Sequence, residues 1–520
     1  MPIWAEVYMS LIDNVVGYKH SLSEFKALLL GEGLVCRADE GGADIEHLSY
    51  DNREVRANTL FFCKGERFKA EYLLDAAKRG AVAYVSEVAY DCVLPAIIVS
   101  DVRAAMSLCG VFHYGSPASR MTTVGLTGTK GKTTVAYFIK ASLDLWEKAN
   151  GKVNSALFST VATFIGEEKI PSRITTPEAL ELQKNLAAAA DHGTEYLTME
   201  VSSQGLKYGR VDGITYDIGC FLNIGYDHIS SLEHPDYDDY FYSKLKLFDI
   251  SKKCVLNLDT DRYGEVAEYV KGRSNIITFS TKNEKADIYG YNIKKDGDEI
   301  SFFAKGRDFD LPFKLGIPGF FNVDNALAAI SVLTLIGVPY EHIYKGIATT
   351  SVEGRMELHR SADGKYNAIV DFAHNTMSYE ALAKSAKREF PDKKIVFIFG
   401  CPGNKAFNRR HDLADAAGRH SDYIYITEDD TASESFESIS EQIAKNVEAT
   451  GCPYTIIEDR ETAIRTALDE MGESSVLLIA GKGNETNQRT ADGYKDYITD
   501  AGAVEKYFAE HYTATAVTNN

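Results

Sequence analysis

The stretch from Gly128 to Thr134 has the residue types and spacing of a loop that holds phosphate. In such a loop, backbone N–H groups and the start of the following helix converge on an anion, a lysine reaches the outer phosphates, and a hydroxyl reaches Mg²⁺. The alternative is a glycine-rich turn with a chance Lys-Thr pair. The candidate phosphate-binding residues are Gly128, Thr129, Lys130, Gly131, Lys132, Thr133 and Thr134.

The elements on either side of this loop favour phosphate binding. An apolar run over 122–126 predicts a strand, and a helical pattern runs from Val135 to about Leu145. The common spacing G-x-x-x-x-G-K-T would require glycine at 126, where leucine stands. The sequence therefore predicts strand, loop and helix around a nucleoside triphosphate, in a variant of the usual spacing.

Length and composition limit the class of protein. A chain of 520 residues suggests about three domains, and a formal net charge of −19 argues against a general nucleic-acid binder. The eight cysteines form no C-x-x-C or Cys/His cluster, which favours free thiols over disulfides or a zinc site. No apolar run reaches roughly 18 residues and no leader pattern is evident, so we expect a cytoplasmic protein without membrane association.

Strand and helix signals alternate along the chain and predict an α/β fold in three units. We expect the units to span 1–117, 118–350 and 351–520. The central unit is predicted to hold a parallel sheet, with ligands at the carboxyl ends of its strands. In the third unit, four apolar strands each end in a polar cluster, which is typical of a doubly wound sheet that carries a site.

Three ionisable residues of the central unit have both a functional and an ordinary interpretation. Glu200 follows an apolar strand, where a carboxylate can lie beside a phosphate-bound Mg²⁺; otherwise it is a surface glutamate. His228 could ligate a metal, although a lone histidine is more often structural. Lys244 lies on a predicted amphipathic helix, where a lysine is ordinarily a solvated charge.

Two residue pairs carry weaker signals. Asn322 and Asn325 share a face if their segment is helical, and side-chain amides suit the edge of a purine. Asp51 and Arg53 could orient a polar ligand, but an ordinary turn with a surface ion pair is the alternative.

Eight stretches in the same order resemble the Mur ligase family, and they span nearly the whole chain. They are G-T-K-G-K-T-T (128–134), T-T-P (175–177), E-V-S-S (200–203), N-I-G-Y-D-H (223–228), the helix with Lys244, G-F-F-N-V-D-N-A-L-A-A (319–329), G-R-M-E (354–357) and D-F-A-H-N (371–375). The resemblance implies an N-terminal nucleotide-sugar domain, a central ATP-binding domain and a Rossmann-like amino-acid domain. It extends to the branch that adds a third amino acid to UDP-N-acetylmuramoyl-L-alanyl-D-glutamate.

The resemblance implies that ATP phosphorylates the D-glutamate side chain and that an incoming amine then displaces phosphate. Under it, Lys132 holds the β- and γ-phosphates, Thr133 and Glu200 hold one Mg²⁺, and His228 serves a second. Lys244 matches a carbamylated lysine, whose CO₂-derived carbamate helps to hold metal. The nucleotide is assigned to Asn322, Asn325, Arg355, Asp371 and His374. The muramoyl-peptide substrate is assigned to Asp51, Arg53, Thr175, Thr176, Ser202 and Arg210.

The loop 429–432 bears on the third amino acid. Relatives that add meso-diaminopimelate carry an arginine at the position of Ala432, and this arginine binds the distal carboxylate. Its absence favours L-lysine, whose ε-ammonium could pair with Asp429, Asp430 or Glu485. L-Ornithine and meso-diaminopimelate stay open, and Lys405 lies near where relatives place an arginine for the α-carboxylate.

Two other functions are compatible with parts of this pattern. A folylpolyglutamate synthetase-like ligase would share the fold, but it has no use for the Y-D-N-R segment at 50–53. A non-catalytic nucleotide-binding regulator would have no need of the ionisable residues at 132, 200, 228 and 244. We expect a monomer.

Overall fold

The computed structural model describes residues 11–12, 14–65, 68–172, 174–230, 233–296 and 299–512. The first of three successive sheets has five strands, in the order 35–38, 96–99, 81–86, 59–62, 47–49. All neighbours are parallel except the first pair. The strands of this part of the chain are His20–Ser21, Val35–Ala38, Asp44–Ile45, His47–Ser49, Thr59–Phe62, Ala81–Ser86 and Ala96–Val99, of which the first and third pair separately from the five-stranded sheet. The helices are Leu22–Gly31, Asn52–Glu54, Ala70–Arg79, Val102–His113 and Pro117–Arg120.

The central sheet has 11 strands, with the strand of the phosphate loop between 196–200 and 216–221. Helices 132–149 and 322–336 pack their apolar residues against this sheet and form its largest core. The strands are Thr122–Thr127, Ala156–Phe158, Ala162–Ile165, Glu168–Pro171, Tyr196–Glu200, Tyr216–Phe221, Ser251–Asn257, Ile276–Ser280, Ile288–Asp296, Glu299–Lys305 and Asp310–Leu315; the helices are Lys132–Ala149, Ala179–Asp191, Ser203–Lys207, Tyr237–Asp249, Tyr263–Tyr269, Asn322–Ile336 and Tyr340–Thr349.

The central sheet is mixed rather than wholly parallel as predicted. Its middle strands are parallel, but antiparallel strands extend it at both ends, at 162–171 and at 288–315. The cause is the length of the connections, because a turn such as 306–309 is too short to hold the crossover that parallel neighbours require.

The third large sheet has six strands, in the order 357–360, 367–371, 475–480, 394–399, 423–426, 454–456. Only the first pair is antiparallel, and helices cover both faces. The strands of this part of the chain are Glu357–Arg360, Asn367–Asp371, Lys394–Phe399, Tyr423–Ile426, Tyr454–Ile456, Ser475–Ala480, Asn487–Thr490 and Gly493–Asp496, of which the last two pair separately from the six-stranded sheet. The helices are Thr376–Glu389, Arg409–His420, Phe436–Glu448, Arg460–Glu470 and Asp500–His511.

The α/β class predicted from the sequence is confirmed, while the domain boundaries at 117 and 350 stay a prediction. Across the described ranges, no helix combines the length and apolar character that crossing a bilayer requires.

Candidate active site

The order of the central sheet brings Glu200 beside the phosphate loop. Strand Tyr196–Glu200 pairs in parallel with strand Thr122–Thr127, which places Glu200 opposite Leu126. The glutamate is buried, and its Oε1 accepts a hydrogen bond of 2.9 Å from Thr133 Oγ1. A carboxylate and a hydroxyl from distant parts of the sequence thus form one oxygen-rich corner.

Thr160 completes this corner, and the sequence analysis missed it. Its N–H and its Oγ1 donate to the two oxygens of Glu200, each at 3.0 Å, and its Oγ1 lies 3.0 Å from Thr175 Oγ1. Thr160 therefore connects the carboxylate beside the phosphate loop with the threonine pair that was assigned to the substrate.

Gly131 is required for the close approach of the loop to helix Asn322–Ile336. Its φ is 85°, and a Cβ atom there would lie 2.3 Å from Asn325 Oδ1. Asn325 Nδ2 donates to Asn322 Oδ1 at 2.8 Å. The two asparagines thus share one helix face, as their spacing predicts, and this face adjoins the phosphate loop.

Two lysine side chains converge on the carbonyl oxygen of Gly128. Lys132 Nζ donates to it at 2.9 Å and Lys244 Nζ at 3.0 Å. Lys244 is buried, with its Nζ 4.5 Å from the centre of the Tyr240 ring. Burial, followed by repulsion from Lys132, lowers the pKa of Lys244 well below its ordinary value. Lys244 is therefore not a solvated surface charge.

Asp227 joins the central and third units. Its buried carboxylate lies 3.7 Å from Lys130 Nζ and 3.6 Å from Arg409 Nη2, and it accepts a hydrogen bond from Asn375 Nδ2. Burial alone would raise the pKa of Asp227, but Lys130 and then His228 outweigh it and hold this pKa well below its ordinary value. One carboxylate thus connects the phosphate loop to two residues of the third unit.

We expect Asp227→Asn to lower kcat/KM by about tenfold or more, because a neutral amide cannot balance the positive charges of Lys130 and Arg409. Steady-state kinetics would measure the loss of activity. Small-angle scattering with and without nucleotide and substrate would test whether the third unit moves onto the central unit, a motion that we expect on nucleotide binding. Asp238→Asn is the matched control, since Asp238 pairs with Arg262 at 2.7 Å but its side chain is 71% exposed. Wild-type kinetics and scattering in Asp227→Asn would contradict this role.

His374 of the third unit faces the phosphate loop. Its Nδ1 lies 2.8 Å from the carbonyl oxygen of Phe372, which can only accept, so Nδ1 carries the proton. Nε2 is then the acceptor 3.4 Å from Lys130 Nζ. Burial, then the Lys130 charge, lowers the pKa of His374 well below its ordinary value. A neutral imidazole therefore lies at the junction of the two units.

Arg355 and Asp371 border the same cavity. The Arg355 guanidinium lies 4.6 Å from the centre of the Phe372 ring, and Asp371 Oδ2 accepts a 2.8 Å hydrogen bond from the Met356 N–H. Burial raises the pKa of Asp371 and lowers that of Arg355. The pair thus places one positive and one negative group on the side of the third unit that faces Lys132.

A cavity of about 690 Å³ unites these groups. Predicted residues from the central and third units share its lining. They are Thr129, Lys130, Gly131, Lys132, Thr133, Thr134, Thr175, Thr176, Glu200, Ser202, Arg210, His228, Lys244, Asn322, Asn325, Arg355, Asp371 and His374. His228 also contacts Glu233, with 3.1 Å between Nδ1 and Oε2.

The edge of the cavity towards the first unit is organised by Thr176 and Glu178. Thr176 Oγ1 donates to the Glu200 carbonyl at 3.0 Å and accepts from the Ser202 N–H at 2.9 Å. Glu178 pairs with Arg210 at 2.9 Å and with Lys64 of the first unit at 2.6 Å. These contacts hold three of the predicted substrate residues, Thr176, Ser202 and Arg210, near a cation from the first unit.

Seven predicted residues lie outside the described lining of this cavity: Asp51, Arg53, Gly128, Lys405, Asp429, Asp430 and Glu485. Asp51 and Arg53 pair with each other, and the Arg53 side chain is 80% exposed. Their geometry matches the surface ion pair that was the alternative.

The acidic residues expected to bind an ε-ammonium already share a cation of the protein. Lys482 Nζ is buried and donates to Asp430 Oδ1 at 2.9 Å and to Glu485 Oε2 at 2.7 Å. Burial alone would lower the pKa of Lys482, but Asp429, Glu485 and Asp430 together raise it. Asp429 Oδ1 accepts from the Asp430 N–H at 2.6 Å. Of the three carboxylates, only Asp429 does not hydrogen-bond the Lys482 ammonium.

Two residues inside quoted motifs were also missed as site residues. The Asn223 side chain forms hydrogen bonds of 2.9 and 3.1 Å with the N–H and carbonyl of Lys130. Asp227, described above, lies directly before His228. Both follow strand Tyr216–Phe221, and position after a buried strand was the signal that could have identified them.

Comparison with known families agrees with the geometry. Residues 126–333 match the Mur ligase middle domain, and residues 354–483 match the Mur ligase, glutamate ligase domain. The chain is 38% identical over 468 residues to a UDP-N-acetylmuramyl-tripeptide synthetase of Lactobacillus delbrueckii subsp. bulgaricus, covering 86% of this chain and 90% of the relative. It is 38% identical over 475 residues to a UDP-N-acetylmuramoyl-L-alanyl-D-glutamate--L-lysine ligase of Streptococcus thermophilus, covering 90% and 93%.

Solved structures share the fold at lower identity. A UDP-N-acetylmuramoyl-L-alanyl-D-glutamate--2,6-diaminopimelate ligase aligns with a TM-score of 0.64 at 23% identity, over 95% of this chain and 100% of that one. MurF of Thermotoga maritima in complex with ADP aligns with a TM-score of 0.58 at 17% identity, over 89% and 97%. Since both domain matches and the relatives extend over most of the sequence, this chain belongs to the Mur ligase family.

Proposed function

We propose that this protein is an ATP-dependent ligase that adds L-lysine to the D-glutamate side chain of UDP-N-acetylmuramoyl-L-alanyl-D-glutamate, forming ADP and phosphate. The observation that carries the proposal is the shared cavity, in which Lys132, Thr133, Glu200 and Lys244 face Arg355 and His374 of another unit. The names of the relatives with 36–38% identity support the choice of reaction and of substrate.

The first half of the reaction brings together two anions. The D-glutamate carboxylate oxygen attacks the γ-phosphorus, the bond to the β-phosphate oxygen breaks, and ADP leaves with an acyl phosphate formed. Lys130, Lys132 and the loop N–H groups neutralise the phosphates, while Arg355 supplies positive charge from the side of the third unit. This division explains why the cations come from two units, because movement of the third unit onto the bound nucleotide completes the charge balance.

Thr133 and Glu200 fit a first Mg²⁺, since their hard oxygen atoms lie 2.9 Å apart beside the phosphate loop. When bound, Mg²⁺ would neutralise charge on the phosphates. His228 and a carbamate on Lys244 would hold a second ion. The lowered pKa of the buried Lys244 supports this assignment, because only a neutral amine combines with CO₂.

In the second half, the amine nitrogen attacks the acyl carbon and the phosphate leaves as the carbon–oxygen bond breaks. The third unit would present this amine. Ala432 offers no guanidinium group to bind a second carboxylate, which supports lysine over diaminopimelate. Because Lys482 neutralises Asp430 and Glu485, we assign the ε-ammonium to Asp429 first.

We place this reaction in the cytoplasm, where ATP and nucleotide sugars are available, and assign it to a monomer. All eight cysteines are free thiols, which supports a reducing compartment. The nucleotide-sugar end of the substrate is assigned to the first unit, where Lys64 meets the Glu178–Arg210 pair.

An assay of phosphate release tests the proposal. The protein would be incubated with ATP, Mg²⁺ and UDP-N-acetylmuramoyl-L-alanyl-D-glutamate, and offered lysine, ornithine or meso-diaminopimelate separately. We expect lysine to give a kcat/KM at least about 100-fold above that of diaminopimelate, because the latter would bury an unpaired carboxylate. Release with none of the amines would refute the ligase, and release with diaminopimelate alone would refute the choice of lysine.

A further inference from the structure

Arg460 contacts two loops of the third unit that follow strands which are not neighbours in the sheet. One loop follows strand Tyr423–Ile426 and carries Asp429 and Asp430; the other follows strand Ser475–Ala480 and carries Lys482 and Glu485. Strand 394–399 lies between them, so the two strands stand about 9–10 Å apart. No ladder hydrogen bond therefore joins these two strands directly.

The Arg460 guanidinium lies beneath the two loops and hydrogen-bonds to the start of each. It is completely buried, and it donates from Nη1 to the Glu428 carbonyl at 3.2 Å and from Nη2 to the Ala480 carbonyl at 2.9 Å. These two carbonyls stand where the polar loops begin. Its other face pairs with the buried Asp500, from Nε at 2.6 Å and from Nη2 at 2.9 Å.

Asp500 is itself fixed by the segment that follows the second loop. Tyr497 OH donates to Asp500 Oδ1 at 2.7 Å, and the Tyr497 N–H donates to the Thr486 carbonyl at 2.8 Å. A Cβ atom on Gly481 would lie 3.0 Å from Asp429 Oδ2 and 3.9 Å from Arg460 Nη2, so the two loops approach closely above the guanidinium. The arginine guanidinium has five N–H donors in one rigid plane, so it can bond to both carbonyls and to Asp500 at once. A lysine ammonium cannot reach all these acceptors together.

We propose that Arg460 is a positioning residue for amino-acid selection: it sets the distance between the Asp429–Asp430 loop and the Lys482–Glu485 loop. The inference rests on the proposed function, because it takes these loops as the site of the incoming amino acid. Arg460 touches no substrate in this role. A change at Arg460 should alter the affinity for the amino acid while leaving the affinities for ATP and the UDP-sugar unaltered, because Arg460 hydrogen-bonds to none of the residues assigned to those two substrates.

The test compares Arg460→Lys with the wild type in the full-length protein. We expect the KM for lysine to rise at least tenfold, with the KM values for ATP and the UDP-sugar substrate within twofold and kcat at saturating lysine within threefold. Arg465→Lys is the matched control, because Arg465 joins the same two helices through Glu510 at 2.6 Å but lies on the surface. It should match the wild type in all constants.

Four outcomes would overturn the inference or the function beneath it. An unchanged lysine KM in Arg460→Lys, or equal increases in all three KM values, would overturn the positioning role. If Arg460→Lys does not fold, Asp500→Asn decides, since it removes the charge that holds the guanidinium against both carbonyls; a lysine KM within twofold of wild type would then overturn the role. Wild-type protein without lysine-dependent phosphate release would instead overturn the proposed function.

Discussion

Replacing Lys244 with alanine is expected to lower kcat by about 10³-fold, and millimolar bicarbonate or acetate should restore part of the activity. The physical reason is that Lys244 is buried beside the phosphate loop, where its loss removes a charged group that no solvent can replace. The shortened side chain leaves room for a small carboxylate at the place of the carbamate. Phosphate release under saturating substrates would measure both effects.

Lys246→Ala is the matched control for this experiment. Lys246 lies on the same helix, Tyr237–Asp249, but is exposed. Its loss should leave kcat within about twofold, as for other surface substitutions. Unchanged turnover in Lys244→Ala would refute the carbamate, and lost turnover that no small carboxylate restores would limit Lys244 to an electrostatic role as an amine.

Replacing Lys132 with methionine is expected to lower kcat/KM for ATP by about 10³-fold or more. Methionine keeps the length of the side chain but removes the charge that lies at the Gly128 carbonyl, within the phosphate loop. Because the charge on the phosphates grows during transfer, kcat should fall more than ATP affinity does. Turnover and nucleotide binding, measured separately, would resolve the two.

Lys148→Met is the control, since Lys148 lies in the last turn of the same helix, Lys132–Ala149, and is exposed. It should retain wild-type constants. If Lys132→Met lost ATP binding but kept its kcat, the lysine would serve only to hold the nucleotide, and the proposed role in transfer would be wrong.

Local sequence determined the phosphate loop and the class of the fold. Strand, glycine loop and helix at 122–149 follow from residues that adjoin in the chain, because backbone propensity and the φ requirement of Gly131 act locally. The Asn322–Asn325 contact follows from helical spacing in the same way. Four strands of the third unit were also predictable, since each is an apolar run bounded by polar loop residues. They are Asn367–Asp371, Lys394–Phe399, Tyr423–Ile426 and Ser475–Ala480.

Tertiary structure decided which of these side chains meet. Glu200 contacts Thr133 because their strands are neighbours in the sheet, and hydrophobic periodicity carries no information about strand order. Likewise, burial turned Lys244 from a nominal surface charge into a group with a lowered pKa.

The amino-acid site gives the clearest division between sequence and structure. The resemblance to the Mur ligase family and the missing arginine at position 432 marked Asp429, Asp430 and Glu485 as partners for an ammonium group. Only the fold brought Lys482 within 2.9 Å of Asp430 and within 2.7 Å of Glu485, and placed Arg460 beneath both loops. The physical reason is that ion pairing depends on distance and solvent exclusion, which are properties of the packed sheet and not of position along the chain.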